Sequence, residues 1–288
     1  MTLPASEFIQ NRDGSVYHLN LLPQHLANTV ITVGDPERVN AVTRYFDKIE
    51  FKVQKREFHT QTGSYQGKRI TVISTGIGTD NIDIVLNELD ALINIDFKTR
   101  SVKNELTSLD IIRIGTSGSI QEEIPLDSFL ISESAIGFDA LLHFYDCNNI
   151  LDKEFSEALT KHMHWPKENP DPYVVQADKE LASKFNEGFR RGVTLTNCGF
   201  YGPQGRVLRL KLKDAQLNEK LKSFNYSGKK ITNLEMETSA IYGLSKLMGH
   251  RAVSLNAIVA NRVTKEFSKN SKKTVDSLIQ LALKQIVA

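Results

Sequence analysis

Apolar residues recur along this chain in two rhythms that alternate from one end to the other. Short runs such as Thr29-Val30-Ile31-Thr32-Val33 are continuous and rich in β-branched residues, the pattern of strands buried on both faces. Elsewhere Ile82, Val85, Leu86, Leu89, Leu92 and Ile93 repeat at helical spacing, as do Ala240, Ile241, Leu244, Leu247 and Met248. Segments 49–53, 58–65 and 69–73 read as strands joined by tight turns, one of them Gln66-Gly67. The same patterns predict strands at 109–113, 127–136, 193–198, 231–234 and 252–260, and helices at 154–163 and about 274–287. Residues 165–172 are the most loop-like segment, and residues 1–28 form a polar amino-terminal arm with one apolar stretch, Val16 to Leu21. Strands alternating with helices imply a layered α/β fold, built as one large domain or two smaller ones.

Composition narrows the classes. With 288 residues and 40% hydrophobic content the chain can bury a large core. A net charge of +2, with both signs mixed along the chain, gives no electrostatic reason to expect nucleic acid or an anionic membrane as partner. A bound anion must therefore be caught locally. Cys147 and Cys198 stand in no metal or CxxC spacing, which suits small apolar residues in a reducing cytoplasm. No apolar run is long enough for a membrane span, and Met1 to Glu7 do not read as a signal peptide.

Local chemistry concentrates in five places. The strand ending in Arg113 runs into Gly115-Thr116-Ser117-Gly118, which reads either as a plain glycine turn or as an oxyanion cradle with its own cation. Gly34-Asp35-Pro36-Glu37-Arg38 joins a strand to a helix; Asp35 and Pro36 are explained by capping, while Gly34 and Arg38 suit an anion at the helix amino terminus. Ser74-Thr75-Gly76-Ile77-Gly78 leaves another strand but does not complete GxGxxG, so a nicotinamide cofactor is rejected. The loop Gly199-Phe200-Tyr201-Gly202-Pro203-Gln204-Gly205-Arg206 is either a surface turn or an aromatic face, an amide and a guanidinium for a flat heterocycle. Glu235-Met236-Glu237 opens a helix; Glu237 fits dipole compensation in a first turn, or the pair of carboxylates could hold vicinal hydroxyls. His18 alone reads as a packed or surface residue as readily as a ligand, and Arg56 as a solvated edge charge.

Taken in order, VYHLNL, GDPER, REF, STGIG, RIGTSGSI, FYGPQGR, NLEMET and IVANR resemble the uridine phosphorylases of the nucleoside phosphorylase superfamily, from about Val16 to Arg262. The resemblance implies a single α/β domain spanning 1–288, with a central mixed sheet forming a distorted partial barrel flanked by helices. It further implies a phosphate site of Gly34, Arg38, Arg113, Gly115 and Thr116, with Arg56 reaching in from a neighbouring subunit. Ribose would be held by Glu237, Met236 and Thr116, with Glu235 as support and His18 donated in trans to the 5'-hydroxyl. Uracil would meet Gly118, Phe200, Gln204 and Arg206. The chain would then be a cytoplasmic homo-oligomer, at least a dimer, and the bacterial enzymes form a hexamer of three dimers.

The chemistry so implied is phosphorolysis of the N-glycosidic bond, with inorganic phosphate as co-substrate and neither a metal nor an organic cofactor. Some relatives bind a monovalent cation near Glu57, Ile77 and position 81, where this chain has Asn81 in place of serine. Purine phosphorylases carry a proton-donating aspartate at the position of Asn261, and its absence favours a pyrimidine. FYGPQGR replaces the FYPGQER of many bacterial forms, and residues 206–231 differ, so deoxyuridine, thymidine or a purine nucleoside stay open as substrates. A nucleosidase and a noncatalytic nucleoside-binding protein are the other classes; Arg38, Arg56 and Arg113 favour phosphate over water.

Overall fold

The computed structural model describes residues 2–288. Its first strand, β1 (Thr29–Val33), is buried at every position, as its continuous apolar run requires. Helix α1 (Pro36–Thr43) leaves it through Asp35, whose carboxylate accepts from the Glu37 N–H while Pro36 takes the first helical position. An antiparallel meander follows, β2 (Lys48–Lys55), β3 (Phe58–Tyr65) and β4 (Lys68–Ser74), and then α2 (Thr79–Asn94), whose Ile82, Val85, Leu86, Leu89 and Leu92 are all buried. A small ribbon, β5 (Ile95–Asp96) and β6 (Ser101–Val102), stands apart from the main sheet. The rest of the chain is β7 (Asp110–Ser119), β8 (Phe129–Gly137), α3 (Lys153–Met163), β9 (Tyr173–Gln176), α4 (Lys179–Ser183), β10 (Phe189–Thr196), α5 (Leu217–Ser223), β11 (Asn225–Tyr226), β12 (Lys229–Glu235), α6 (Thr238–Leu247), β13 (Arg251–Asn261), β14 (Glu266–Phe267) and α7 (Ser271–Val287).

The main sheet is mixed. β1 lies parallel between β4 and β7, β7 runs parallel to β13, and β10 runs parallel to both β8 and β12. Two antiparallel joints close the circuit. β13 meets β8 over Leu255 to Ala257, and Asn233 and Leu234 of β12 pair with Ser119 and Gly118 of β7. Strands β12, β10, β8, β13 and β7 thereby form a closed, distorted barrel, from which β1, β4, β3 and β2 extend as an open wing. Helices pack on both sides of this sheet, as expected for the fold. One apolar cluster joins the sheet to α2, α6 and α7; a second gathers Ile136, Phe155, Leu195, Phe224 and Leu234 under α3 and α5. Each fully buried leucine or isoleucine in these clusters stabilises the fold by roughly 1.5–3 kcal/mol. Among the described residues no helix is long and apolar enough to cross a membrane.

One predicted feature is overturned. Gly115-Thr116-Ser117-Gly118 is not a turn, because β7 continues through it to Ser119, laddered against β13 as far as Asn261. Two glycines weaken strand propensity locally, and the pairing with a long neighbour outweighs that loss. The short elements β9, α4 and α5 carry too few residues for a periodic signal and were not anticipated.

Candidate active site

A cavity of about 730 Å3 opens where β1, β4, β7, β12 and β13 deliver their carboxyl ends, the usual place for a ligand in an open α/β sheet. Gly34, Arg38, Arg113, Thr116, Gly118, Phe200, Gln204, Arg206, Glu235, Met236 and Glu237 all line it. Gly115, His18 and Arg56 do not.

Arg113 is the centre of one end. It and Gly115 point to the same face of β7, and the guanidinium lies flat over Gly115, where a Cβ would stand 2.0 Å from Nη1. Nη2 donates to Glu237 Oε2 at 2.7 Å and lies 3.1 Å from Glu235 Oε2, while Nη1 donates to Asn256 Oδ1 at 3.0 Å. Burial alone would lower the Arg113 pKa, but Glu235 and Glu237 beside it hold it above its ordinary value. Across the cavity Arg38, one turn into α1, donates to the Ile114 carbonyl at 3.4 Å. Burial and the nearby Arg113 depress its pKa. Arg38, which forms no ion pair among the described residues, faces the same space as Arg113, and with the amino terminus of α1 beside it that space attracts a multiply charged anion.

The two carboxylates of the Glu-Met-Glu stretch have different duties. Glu235 ends β12, and its oxygens accept from the Thr196 hydroxyl at 2.6 Å, the Thr238 hydroxyl at 2.8 Å and the N–H groups of Glu237 and Thr238. It therefore neutralises the start of α6, the role the sequence suggested for Glu237. Glu237 sits in the cap position of α6 with no cap bond of its own. Its Oε1 instead accepts from the Gly78 N–H at 2.9 Å, tying the start of α2 to the cavity. Burial pushes the Glu237 carboxyl above the usual carboxylate range despite Arg113, and Glu235 adds to the shift.

At the other end Gln204 is buried, and Arg206 stacks over the Phe200 ring with Cζ 3.8 Å from its centroid. Arg206 Nη1 donates to the Phe200 carbonyl at 2.7 Å and to the side-chain carbonyl of Gln204. Burial, helped by Arg262, lowers the Arg206 pKa to about 10, so it stays charged at neutral pH. Arg262 was missed by the sequence reading. It follows β13 and donates to the main-chain carbonyl of Gln204 at 3.1 Å, which braces the loop from below. Phe267 and Val259 also line the cavity and carry no motif that would have flagged them. Asn261, by contrast, spends its amide on the carbonyls of Gln121 and Ile124 and accepts from the N–H groups of Val263 and Thr264. The Asn261 side chain is thus engaged by a turn, and it does not line the cavity.

His18 and Arg56 lie outside the cavity of their own chain. His18 Nδ1 sits 2.7 Å from Glu88 on α2, and Arg56 is exposed in the β2–β3 turn at φ +55°. They share a face, since the Lys55 ammonium next to Arg56 bonds the carbonyl of Tyr17. Near the cavity mouth Glu57, Ile77 and Asn81 lie together, and Asn81 donates its amide N–H to the Ile77 carbonyl at 3.4 Å. Among the described residues no group of three or more His, Cys, Asp or Glu side chains is placed to hold a metal ion.

The sequence profile of the phosphorylase superfamily matches residues 28–288. A uridine phosphorylase of Thermococcus kodakarensis is 29% identical, covering 97% of this chain and 90% of the relative. A DeoD-type purine nucleoside phosphorylase of Alkaliphilus metalliredigens is 27% identical, covering 92% and 97%. Among solved structures, a Trypanosoma brucei nucleoside phosphorylase that shows uridine phosphorylase activity superposes with a TM-score of 0.89 at 30% identity, covering 98% of this chain and 99% of the other.

Proposed function

The chain belongs to the phosphorylase superfamily, and from that premise we propose that it is a uridine phosphorylase, converting uridine and phosphate reversibly into uracil and ribose 1-phosphate. The observation that carries the reading is a single cavity with two unlike ends: Arg113 and Arg38 face each other at one, and Gln204 and Arg206 lie at the other. Phosphate would bind between the two guanidinium groups, against Thr116 and Gly34. Ribose would lie over Met236, with Glu237 accepting from its 2'- and 3'-hydroxyls. Cleaving the glycosidic bond develops positive charge on the sugar and negative charge on the departing uracil. Phosphate attacks the sugar and stabilises its charge, so no side-chain nucleophile is needed. Arg206 and Gln204 meet the uracil anion as it forms, a contribution of about 3 kcal/mol for well-aligned donors.

His18 and Arg56 act in this reading from the neighbouring subunit of a cytoplasmic homo-oligomer, completing the ribose and phosphate ends. Their common face and their absence from the lining of the cavity of their own chain support it. Mixing inactive His18→Ala subunits with inactive Glu237→Gln subunits is then expected to restore activity, to about a quarter of the wild-type value in a dimer with reciprocal sites. Mixtures as inactive as their parents would refute donation in trans.

The test of the whole proposal is release of free base from uridine, thymidine and inosine with and without inorganic phosphate. Phosphate-dependent release of uracil is the expected result, and base release without phosphate would make the protein a nucleosidase. A purine or broad-specificity phosphorylase is the second reading, favoured by the DeoD-type relative, whose identity to this chain is close to that of the uridine phosphorylases. Gln204→Ala bears on it: the ratio of uridine to inosine turnover should fall at least about tenfold while the phosphate KM holds. An unchanged ratio would remove Gln204 from base recognition.

A further inference from the structure

Beneath Arg113 lies a polar side chain to which neither the sequence motifs nor the proposed reaction gives a task. Asn256 stands on β13 directly opposite Gly115 in the ladder, and it is fully buried. Its amide is oriented from one side, because Nδ2 donates to the hydroxyls of Ser132 at 3.2 Å and Ser254 at 3.3 Å. Ser132 is fixed in turn by Thr194, 2.5 Å away. With both donors so engaged, Oδ1 can point only at Arg113 Nη1, 3.0 Å from it.

The other guanidinium nitrogen faces two carboxylates, Glu235 and Glu237. On the side of Nη1 the Ser254 hydroxyl accepts at 3.4 Å, a longer bond than the 3.0 Å to Asn256, so without the amide the fork would be drawn mainly toward the carboxylates. A neutral acceptor at Nη1 opposes that pull without adding a third negative charge beside the anion. Burying an amide this deeply costs free energy that an apolar residue of the same size would spare, so its place beneath the arginine calls for a polar task.

We propose that Asn256 is a positioning residue for phosphate use, acting through Arg113; the inference rests on the phosphate role proposed above for that arginine. The test is steady-state kinetics with phosphate and uridine varied independently. Asn256→Leu keeps the volume and loses the acceptor, and should raise the phosphate KM at least about tenfold while the uridine KM stays within about threefold. Asn256→Asp keeps an acceptor at the same place but adds the negative charge that the neutral amide avoids, so its phosphate KM should stay raised at least about tenfold. If the leucine variant does not fold, Asn256→Ser, too short to reach Nη1, replaces it with the same expectation. An unchanged phosphate KM in the variant without the acceptor, or a parallel rise in both KM values, overturns the proposal. Arg113→Lys separates the two layers: if it too leaves the phosphate KM unchanged, the phosphate assignment itself is wrong, whereas a shift in Arg113→Lys alone removes only Asn256.

Discussion

Arg113→Ala should lower kcat/KM for phosphorolysis by at least about a thousandfold, the scale lost when a pre-aligned charged donor is taken from a reacting centre. The loss should appear mainly in phosphate dependence, and turnover near the wild-type value would dismiss the assigned phosphate site. Stability should suffer as well, because removing one partner of a buried ion pair costs about 3–5 kcal/mol. Glu235 and Glu237 would then face each other without their cation, and Glu237 is already pushed upward by burial. A carboxyl whose pKa is higher in the folded than in the unfolded chain stabilises the fold at low pH, and that stabilisation is lost as pH rises through the folded value. The variant should therefore melt at a higher temperature near about pH 5 than near about pH 8, relative to wild type at the same two values. Thermal scans at both separate this destabilisation from the catalytic loss.

Gly115→Ala should be nearly as damaging, although it adds one methyl group and touches no substrate. The new carbon would stand 2.0 Å from Arg113 Nη1 and 2.4 Å from Cζ. A flexible side chain could step aside, but this one is pinned by Asn256, Glu235 and Glu237. Displacement of the guanidinium by about 1 Å should reduce kcat/KM for phosphate about a hundredfold. Nucleoside binding measured without phosphate should change little. Equal loss in both would show that the methyl deforms β7 itself and not only the arginine lying on it.

Much of the architecture was legible because continuous β-branched runs and clean helical stripes leave little ambiguity. Thr29–Val33 and the α2 stripe Ile82 to Leu92 emerged as read, as did the Asp35-Pro36 start of α1. Gly115 to Gly118 misled, because a glycine's local preference carries no record of a partner strand some 140 residues away. The helix-start role falls to Glu235 instead of Glu237 for a related reason. Both carboxylates are adjacent to a helix start, and only the placement of Thr196 on β10 decides which one is drawn into the cap. Arg262 and Asn256 were illegible because each acts through a strand or loop distant in the sequence.

The pairing of β12 with β7 carries a kinetic implication. Asn233 of β12 donates to Ser117 of β7 across 116 residues of chain, and it is at this seam that the Glu237 side of the cavity meets the Arg113 side. Contacts of such long range form late, since the intervening loop must first give up its entropy. During refolding, helix signal should return before the ability to bind a nucleoside, and the lag between them measures the time this seam takes to close.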